Sequence, residues 1–279
     1  MDETVQDWVT RSPAPQVRHF VDRYIGYRLA GFPPGLHRGL PSRHMTFIVG
    51  IGPAIHVTAQ TDPRQAPHRY GCVLSGLQAS PALIAHDGNQ EGVAIELTPL
   101  GSRRLFAMPA RALWDLSVEF ADVAGGAGRE LWERMQATTD WAERFRVCDD
   151  VLSRLDGEDE VAPDLQRSWT AIVQSAGMIS VRDLAAEIGF SRQHLSRRFR
   201  SEFGLTPKLA ARVVRFERAR RMLQSVPSFV AISQAAVSCG YYDQAHLHRD
   251  FADLAGCTPA ELIREEVPFF QDDGASVEP

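Results

Sequence analysis

One sequence pattern occurs twice in the last third of the chain, and this internal repeat constrains the fold more than any other feature. The segment Leu184-Ala185-x-x-x-Gly189-Phe190 recurs 51 residues later as Ala235-Ala236-x-x-x-Gly240-Tyr241. Beyond the turn the offset becomes 52, and the matching positions are Leu195 and Leu247, Phe199 and Phe251, Gly204 and Gly256, Thr206 and Thr258, and Pro207 and Pro259. The chain therefore contains two copies of one supersecondary unit, and the second copy has one extra residue in its turn.

Each copy has the pattern of two short helices joined by a tight turn. In the first copy, apolar residues at helical spacing precede Gly189, which tolerates the positive φ of a turn, and Ser191 is a favourable N-cap for the next helix. This pattern predicts helix-turn-helix motifs at about residues 181–203 and 232–255. Residues 208–223 lack Gly and Pro and carry an apolar stripe, which predicts a linker helix between the motifs.

The charge of the repeated region differs from that of the whole chain. The chain has a net charge of -5, which taken alone argues against a partner as acidic as DNA. Residues 181–221, however, contain eleven Lys and Arg against four Asp and Glu. A polyanionic partner is therefore expected for the C-terminal part of the chain only.

Residues 166–265 resemble the DNA-binding domain of the AraC/XylS family of bacterial transcription regulators. The resemblance rests on Leu184-Ala185, Gly189-Phe190-Ser191, Leu195-Ser196-Arg197-x-Phe199, Phe203-Gly204-x-Thr206-Pro207 and Arg215-x-x-x-Ala219-x-x-x-Leu223, then on Gly240-Tyr-Tyr-Asp-Gln-Ala-His-Leu-x-Arg249-x-Phe251 and Gly256-Cys-Thr-Pro259. The resemblance implies that the second helix of each motif, its recognition helix, enters the major groove of DNA.

The resemblance also implies which outward side chains contact DNA. The matching base-contacting positions are Gln193, Ser196 and Arg197 in the first motif and Ala245, His246 and Arg249 in the second. Arginine is the usual bidentate partner of guanine. Family members commonly have a polar residue at the position of Ala245, and alanine cannot hydrogen-bond to a base there, although its methyl group can contact that of a thymine. The expected phosphate contacts, or else solvated groups, are Arg192, Arg198, Arg200, Lys208, Gln244 and His248.

The first 155 residues have a different pattern, with short apolar runs between turn formers followed by helical spacings after Pro99. Many family members join a β-barrel sensor to the DNA-binding domain. We therefore expect an α+β chain. Its parts are a β-rich, cupin-like (jelly-roll-like) sensor or dimerisation domain ending in helices at 1–155, a linker at 156–163, an all-α DNA-binding domain at 164–266 and a tail at 267–279.

Several roles are open for the N-terminal domain. Family analogy predicts a ligand-sensing pocket without metal, and the alternative is a domain that only dimerises. The amphipathic helices from Gly128 to Leu155 are the expected dimer surface, although core packing explains them equally well. A metal site would use some of His37, His44, His56, His68 and His86 with Glu91 or Glu96. The His-x-His spacing of metal cupins is absent, so we expect neither a metal nor another cofactor.

These observations predict a sequence-specific, cytoplasmic transcription regulator that is not an enzyme. Its expected partners are double-stranded promoter DNA, RNA polymerase, a small-molecule effector and a second copy of the chain. Neither an export signal nor a membrane span is expected, and the four distant cysteines fit reduced thiols. The alternatives are a metal-dependent cupin or repair enzyme fused to a DNA-binding domain, for which no catalytic motif is present, and a non-specific architectural DNA binder.

Overall fold

The chain divides into two compact units. The computed structural model describes residues 4–155, 157, 160–225 and 229–265. The first unit comprises the residues up to Leu36 together with His44–Leu77 and Ala82–Val161, and the second comprises His37–Arg43, Gln78–Pro81 and the residues from Ala162 onward. The predicted tail, and residues 156, 158 and 159 of the predicted linker, lie outside the described residues.

Ten strands occur in the described part of the chain, all of them before residue 120. They are β1 (Val5–Arg11), β2 (Val21–Ala30), β3 (Gly35–Gly39), β4 (Met45–Ile51), β5 (Ile55–Ala59), β6 (His68–Tyr70), β7 (Cys72–Ser75), β8 (Ala82–His86), β9 (Gln90–Leu97) and β10 (Ser117–Glu119). They form a six-stranded sheet in the order β1-β2-β9-β4-β7-β10 and a four-stranded sheet in the order β3-β8-β5-β6.

The central strand of the larger sheet shows why these residues form strands. β4 pairs antiparallel with both β9 and β7. Met45, Phe47 and Val49 are fully buried, whereas Thr46 and Ile48 between them are only half-buried. This alternation is the period of two that places successive side chains on opposite faces of a sheet.

Helices cover one face of the larger sheet. The helices of this unit are α1 (Ser102–Phe106), α2 (Phe120–Ala124), α3 (Gly126–Gln136) and α4 (Trp141–Ser153). The side chain of Gln136 in α3 donates a 2.7 Å hydrogen bond to the Gly50 carbonyl. Trp141 in α4 lies so close to β2 that a Cβ atom on Gly26 would come within 2.6 Å of its ring. A glycine is therefore required where α4 crosses the sheet.

The described part of the second unit is helical from Pro163 onward. Its helices are α5 (Pro163–Gln174), α6 (Val181–Ile188), α7 (Arg192–Phe203), α8 (Pro207–Ser225), α9 (Phe229–Ser238), α10 (Gln244–Ala255) and α11 (Pro259–Glu265). Helices α6 and α7 form one helix-turn-helix motif, α9 and α10 form a second, and α8 joins them. A β-rich N-terminal part and an all-helical C-terminal domain confirm the predicted α+β class.

Each motif has an aromatic core. Trp169 of α5 packs against Phe203 of α7 at 5.0 Å between ring centroids and stacks on Phe199 at 5.9 Å. In the second motif, Phe216 of α8 packs edge-to-face on Phe251 of α10 at 4.8 Å. All five rings are at least 95% buried, so the linker helix α8 is part of the core of the second motif as well as a connection.

Candidate nucleic-acid interface

The turns of the two motifs differ by one residue. α6 is followed by Gly189, with φ of 81°, and α9 is followed by Cys239 and Gly240, the latter with φ of 74°. Both values lie in the left-handed region, where glycine avoids the strain of a Cβ atom. Phe190 alone separates the first glycine from the N-cap of the next helix, whereas Tyr241 and Tyr242 separate the second. The extra residue of the second copy is therefore in this turn.

The two recognition helices, α7 and α10, begin with matching caps. The Ser191 hydroxyl accepts a 3.2 Å hydrogen bond from the His194 N–H, and the Asp243 carboxylate accepts a 2.7 Å hydrogen bond from the His246 N–H. Each cap satisfies one of the N–H groups that a helix leaves unpaired at its start. The caps thus fix the same starting residue in both helices, 52 positions apart.

The residues predicted to contact bases lie on one side of each recognition helix. Gln193, Arg197, Ala245 and Arg249 are exposed, and Ser196 and His246 are half-buried. On the opposite side, Leu195, Phe199, Leu247 and Phe251 are fully buried. The structure therefore brings the three predicted positions of each motif together on a solvent-facing surface.

In both motifs a histidine packs against the aromatic residue of the turn. The ring centroids of Phe190 and His194 are 4.6 Å apart with an edge-to-face arrangement, and those of Tyr241 and His246 are 5.2 Å apart in the same arrangement. In the first motif, Arg197 Nη2 also lies 3.3 Å from His194 Nδ1. Sequence reasoning missed His194. The repeat makes it equivalent to His246, and its spacing of three residues from Arg197 puts His194 and Arg197 on one face of α7.

The predicted phosphate contacts fall into two groups. Arg192, Arg200 and Lys208 are exposed, and within the described residues their side chains form neither ion pairs nor hydrogen bonds. Arg198 instead pairs with Asp164 of α5, with 2.6 Å between Nη1 and Oδ2, and lies over the Phe190 ring at 5.4 Å. The exposed group keeps its charge available for an anion, whereas Arg198 is already neutralised by a carboxylate.

The two remaining predicted phosphate contacts belong to the second motif. Gln244 and His248 are half-buried. The Gln244 side-chain amide donates a hydrogen bond to the Ser233 hydroxyl of α9. This contact ties the start of α10 to the preceding helix.

The histidines considered for a metal site are dispersed. His37, His56, His68 and His86 lie on four different strands of the four-stranded sheet. His44 is buried, with Nε2 2.6 Å from Asp22 Oδ2. Glu91 pairs with Arg144, and Glu96 pairs with Arg23. Among the described residues, no group of three or more His, Cys, Asp or Glu side chains is arranged to hold a metal ion.

Within the described part of the chain, none of the helices combines the length and the apolar character needed to span a bilayer.

Comparisons with known proteins agree with this geometry. Residues 184–265 match the family model described as "Helix-turn-helix domain". The whole chain resembles the crystal structure of ToxT from Vibrio cholerae O395, with a TM-score of 0.53 and 13% identity over 94% of this chain and 99% of that chain. The same protein bound to (E)-4-(8-methylnaphthalen-1-yl)but-3-enoic acid gives a TM-score of 0.50 and 14% identity over 92% of this chain and 98% of that chain. No curated protein matches this chain in sequence.

The two kinds of match cover different parts of the chain. The family model covers both motifs and the linker helix, and the structural likeness to ToxT shows a shared two-domain fold. The match lies within residues 166–265, so the helix-turn-helix domain that the resemblance to the AraC/XylS family predicts for this region is confirmed.

Proposed function

We propose that this chain is a sequence-specific DNA-binding transcription regulator whose two recognition helices contact adjacent major grooves of promoter DNA. The observation that carries the proposal is the matched position of Arg197 and Arg249. Each is exposed, each lies opposite a buried Leu and Phe stripe, and each follows its N-cap by six residues. Arginine at such a position makes bidentate hydrogen bonds to guanine.

The linker helix fits this arrangement. α8 has 19 residues, so it is about 28 Å long at 1.5 Å per residue. Successive major grooves on one face of B-DNA recur at about 34 Å. A helix of this length, with the second motif packed on it through Phe216, supports the simultaneous use of two adjacent grooves.

Binding-site selection tests this function. The purified full chain is incubated with a random double-stranded DNA library, and bound sequences are recovered over several rounds and compared with fragments selected from genomic DNA. We expect one enriched motif with two conserved blocks about one helical turn apart, located near promoters. Recovery of DNA without an enriched motif would show a non-specific architectural binder and would overturn the proposal.

We also propose that a small molecule binds the N-terminal unit and modulates DNA binding. The support is the shared fold with ToxT, which has been crystallised with an aryl-substituted butenoic acid. Titration of the chain with (E)-4-(8-methylnaphthalen-1-yl)but-3-enoic acid, followed by calorimetry and by the affinity for the selected DNA, tests this proposal. A compound that neither binds nor changes the DNA affinity would contradict it for this ligand class.

A second copy of the chain and RNA polymerase complete the proposed partners. The residues of α3 and α4 that face the sheet belong to the core. Trp132 of α3 has its indole edge against Gly71 and is 40% exposed beside charged residues on the outer side. We place the contact between copies on this outer side. Sedimentation of the chain should show a dimer that Trp132→Ala weakens, and transcription from a promoter carrying the selected site should change when the chain is added to polymerase.

A further inference from the structure

The extra residue in the second turn is an exposed aromatic. Gly189 and Ser191 are separated by one residue, Gly240 and Asp243 by two, and the additional one that directly precedes the cap is Tyr242. The side chain of Tyr242 is 93% exposed. The four other tyrosines of the chain are all buried. A ring this exposed contributes little to the packing of its own unit.

The position of Tyr242 relative to α10 indicates which part of DNA its side chain contacts. It directly precedes the N-cap Asp243, and its backbone N–H lies 3.5 Å from Nδ1 of His246, one of the predicted base contacts. Hydrogen bonds to phosphates fix the register of a protein on DNA and commonly come from tyrosine hydroxyls as well as from cations. An exposed tyrosine at the start of the recognition helix is in a position from which such a phosphate contact can be made.

We infer that Tyr242 is a DNA contact that the first motif lacks, and that its phenolic hydroxyl donates a hydrogen bond to a phosphate oxygen. The inference rests on the proposed function. The contact differs from an arginine or lysine contact because the phenol is neutral. It releases no counterion from DNA, so it adds affinity without adding to the salt dependence of binding.

A set of variants separates this contact from the others. The affinity of the full chain for its selected site is measured at several salt concentrations for the wild type, Tyr242→Phe and Arg249→Ala. A hydrogen bond to a charged group contributes about 1.5 kcal/mol or more, so we expect Tyr242→Phe to weaken binding about tenfold. The loss should be equal on selected and random DNA, with an unchanged salt slope. Val237→Ala, at an 80% exposed residue of α9, serves as the control and should bind as the wild type does.

Nitration of the intact protein provides a second measurement that does not depend on folding of a variant. Tetranitromethane should modify Tyr242 preferentially, because the other tyrosines are buried, and bound DNA should protect it.

Different results would overturn the inference and the proposed function. If Arg249→Ala weakens specific binding, but Tyr242→Phe binds as the wild type does and DNA leaves the nitration of Tyr242 unchanged, the inference is overturned and the function stands. Loss of binding in Tyr242→Ala without loss in Tyr242→Phe would assign the contact to the ring and would overturn the hydrogen bond. If no enriched site exists and Arg249→Ala has no effect, the proposed function itself fails.

Discussion

Arg198 and Asp250 occupy the same position in the two recognition helices and anchor them through ion pairs of opposite polarity. Arg198 binds Asp164 of α5, with 2.6 Å between Nη1 and Oδ2. Asp250 accepts hydrogen bonds of 2.9 and 2.7 Å from Nε and Nη2 of Arg212 in α8. Both pairs lie one residue after the exposed Arg197 or Arg249. Each recognition helix is thus held by an ion pair to a neighbouring helix, which we call its anchor. The recognition helix supplies the arginine in the first motif and the aspartate in the second.

Loss of the second anchor should destabilise the helical unit. The Asp250 side chain is 3% exposed, whereas Asp253, which pairs with the same Arg212, is 62% exposed. Asp250→Ala removes two hydrogen bonds between charged groups at a buried site and leaves Arg212 only the exposed Asp253, so we expect it to lower the free energy of unfolding by about 2 kcal/mol. Asp253→Ala is the matched control and should cost less than about 1 kcal/mol. Urea denaturation with hydrogen exchange of α10 peptides measures both, and equal losses would contradict the assigned anchor.

The two exposed arginines should each specify a base pair. We expect Arg197→Ala and Arg249→Ala to weaken binding to the selected site by about 1 to 3 kcal/mol and to relax preference at one base pair each, in different halves of the site. Fluorescence anisotropy with singly substituted duplexes provides the measurement. An equal loss on every sequence would instead place these side chains on phosphates.

His194 should position Arg197. The 3.3 Å contact between Arg197 Nη2 and His194 Nδ1 restrains a guanidinium that is otherwise exposed. In a double-mutant cycle on specific DNA binding, we expect a coupling energy of about 0.5 to 1.5 kcal/mol between His194→Ala and Arg197→Ala. His194→Gln retains an acceptor and should restore part of the loss.

The second motif supplies the control for this cycle. His246 and Arg249 have the same spacing, yet the structure shows no hydrogen bond between these two described side chains. Their coupling energy should therefore be close to zero. A coupling as large as that of His194 and Arg197 would show that the effect does not come from this hydrogen bond.

Local patterns in the sequence were sufficient to predict the two helix-turn-helix motifs and the linker helix, but not α5 or α11. Helix periodicity and caps depend on residues within a few positions, so the interval 208–223 predicted a linker helix that the structure extends to Pro207–Ser225. The resemblance placed Gln193 and Arg197 at positions equivalent to Ala245 and Arg249, whereas in the repeat Ser196 is equivalent to His248 and His246 to His194. Tyr242 could have been singled out in the same way, because the change of offset from 51 to 52 occurs in its turn.

Features that depend on distant residues were not predictable in this way. Asp164 forms an ion pair with Arg198, which lies 34 residues later in the sequence, and no spacing rule predicts that pair. Trp169 precedes the repeat and joins the first core only through tertiary packing. The edge strand β1 was also missed, because its mostly exposed residues lack the apolar alternation of a half-buried strand. Its pairing with β2 is decided by the sheet and not by its own composition.

Glu261 should make the stability of the last helix depend on pH. Hydrogen bonds from the Thr258 backbone N–H and hydroxyl lower the pKa of Glu261, and the Thr258 side chain in turn accepts from the Glu261 N–H, as in a capping box. A carboxyl whose pKa is lower in the folded state stabilises the fold above its unfolded pKa of about 4.3. That contribution disappears as the pH falls through the folded value.

The variant Glu261→Gln isolates this effect, because glutamine preserves the capping box without a titrating group. Urea denaturation between pH 3 and 7 should show that the wild type loses more stability on acidification than the variant. The same pH dependence in both proteins would remove Glu261 from the groups responsible.

Lys208 should contribute to DNA binding only through its charge. It is exposed in the first turn of α8 and has no ion pair among the described residues. We expect Lys208→Ala to weaken binding equally on all sequences and to reduce the slope of log K against log salt by about 1. Lys208 is the only lysine of the chain. An amine-reactive reagent therefore reports on this side chain, with the N-terminal amine as the reference, and bound DNA should slow the modification of Lys208 but not of the terminus. An unchanged salt slope together with unchanged modification would exclude Lys208 from the phosphate contacts.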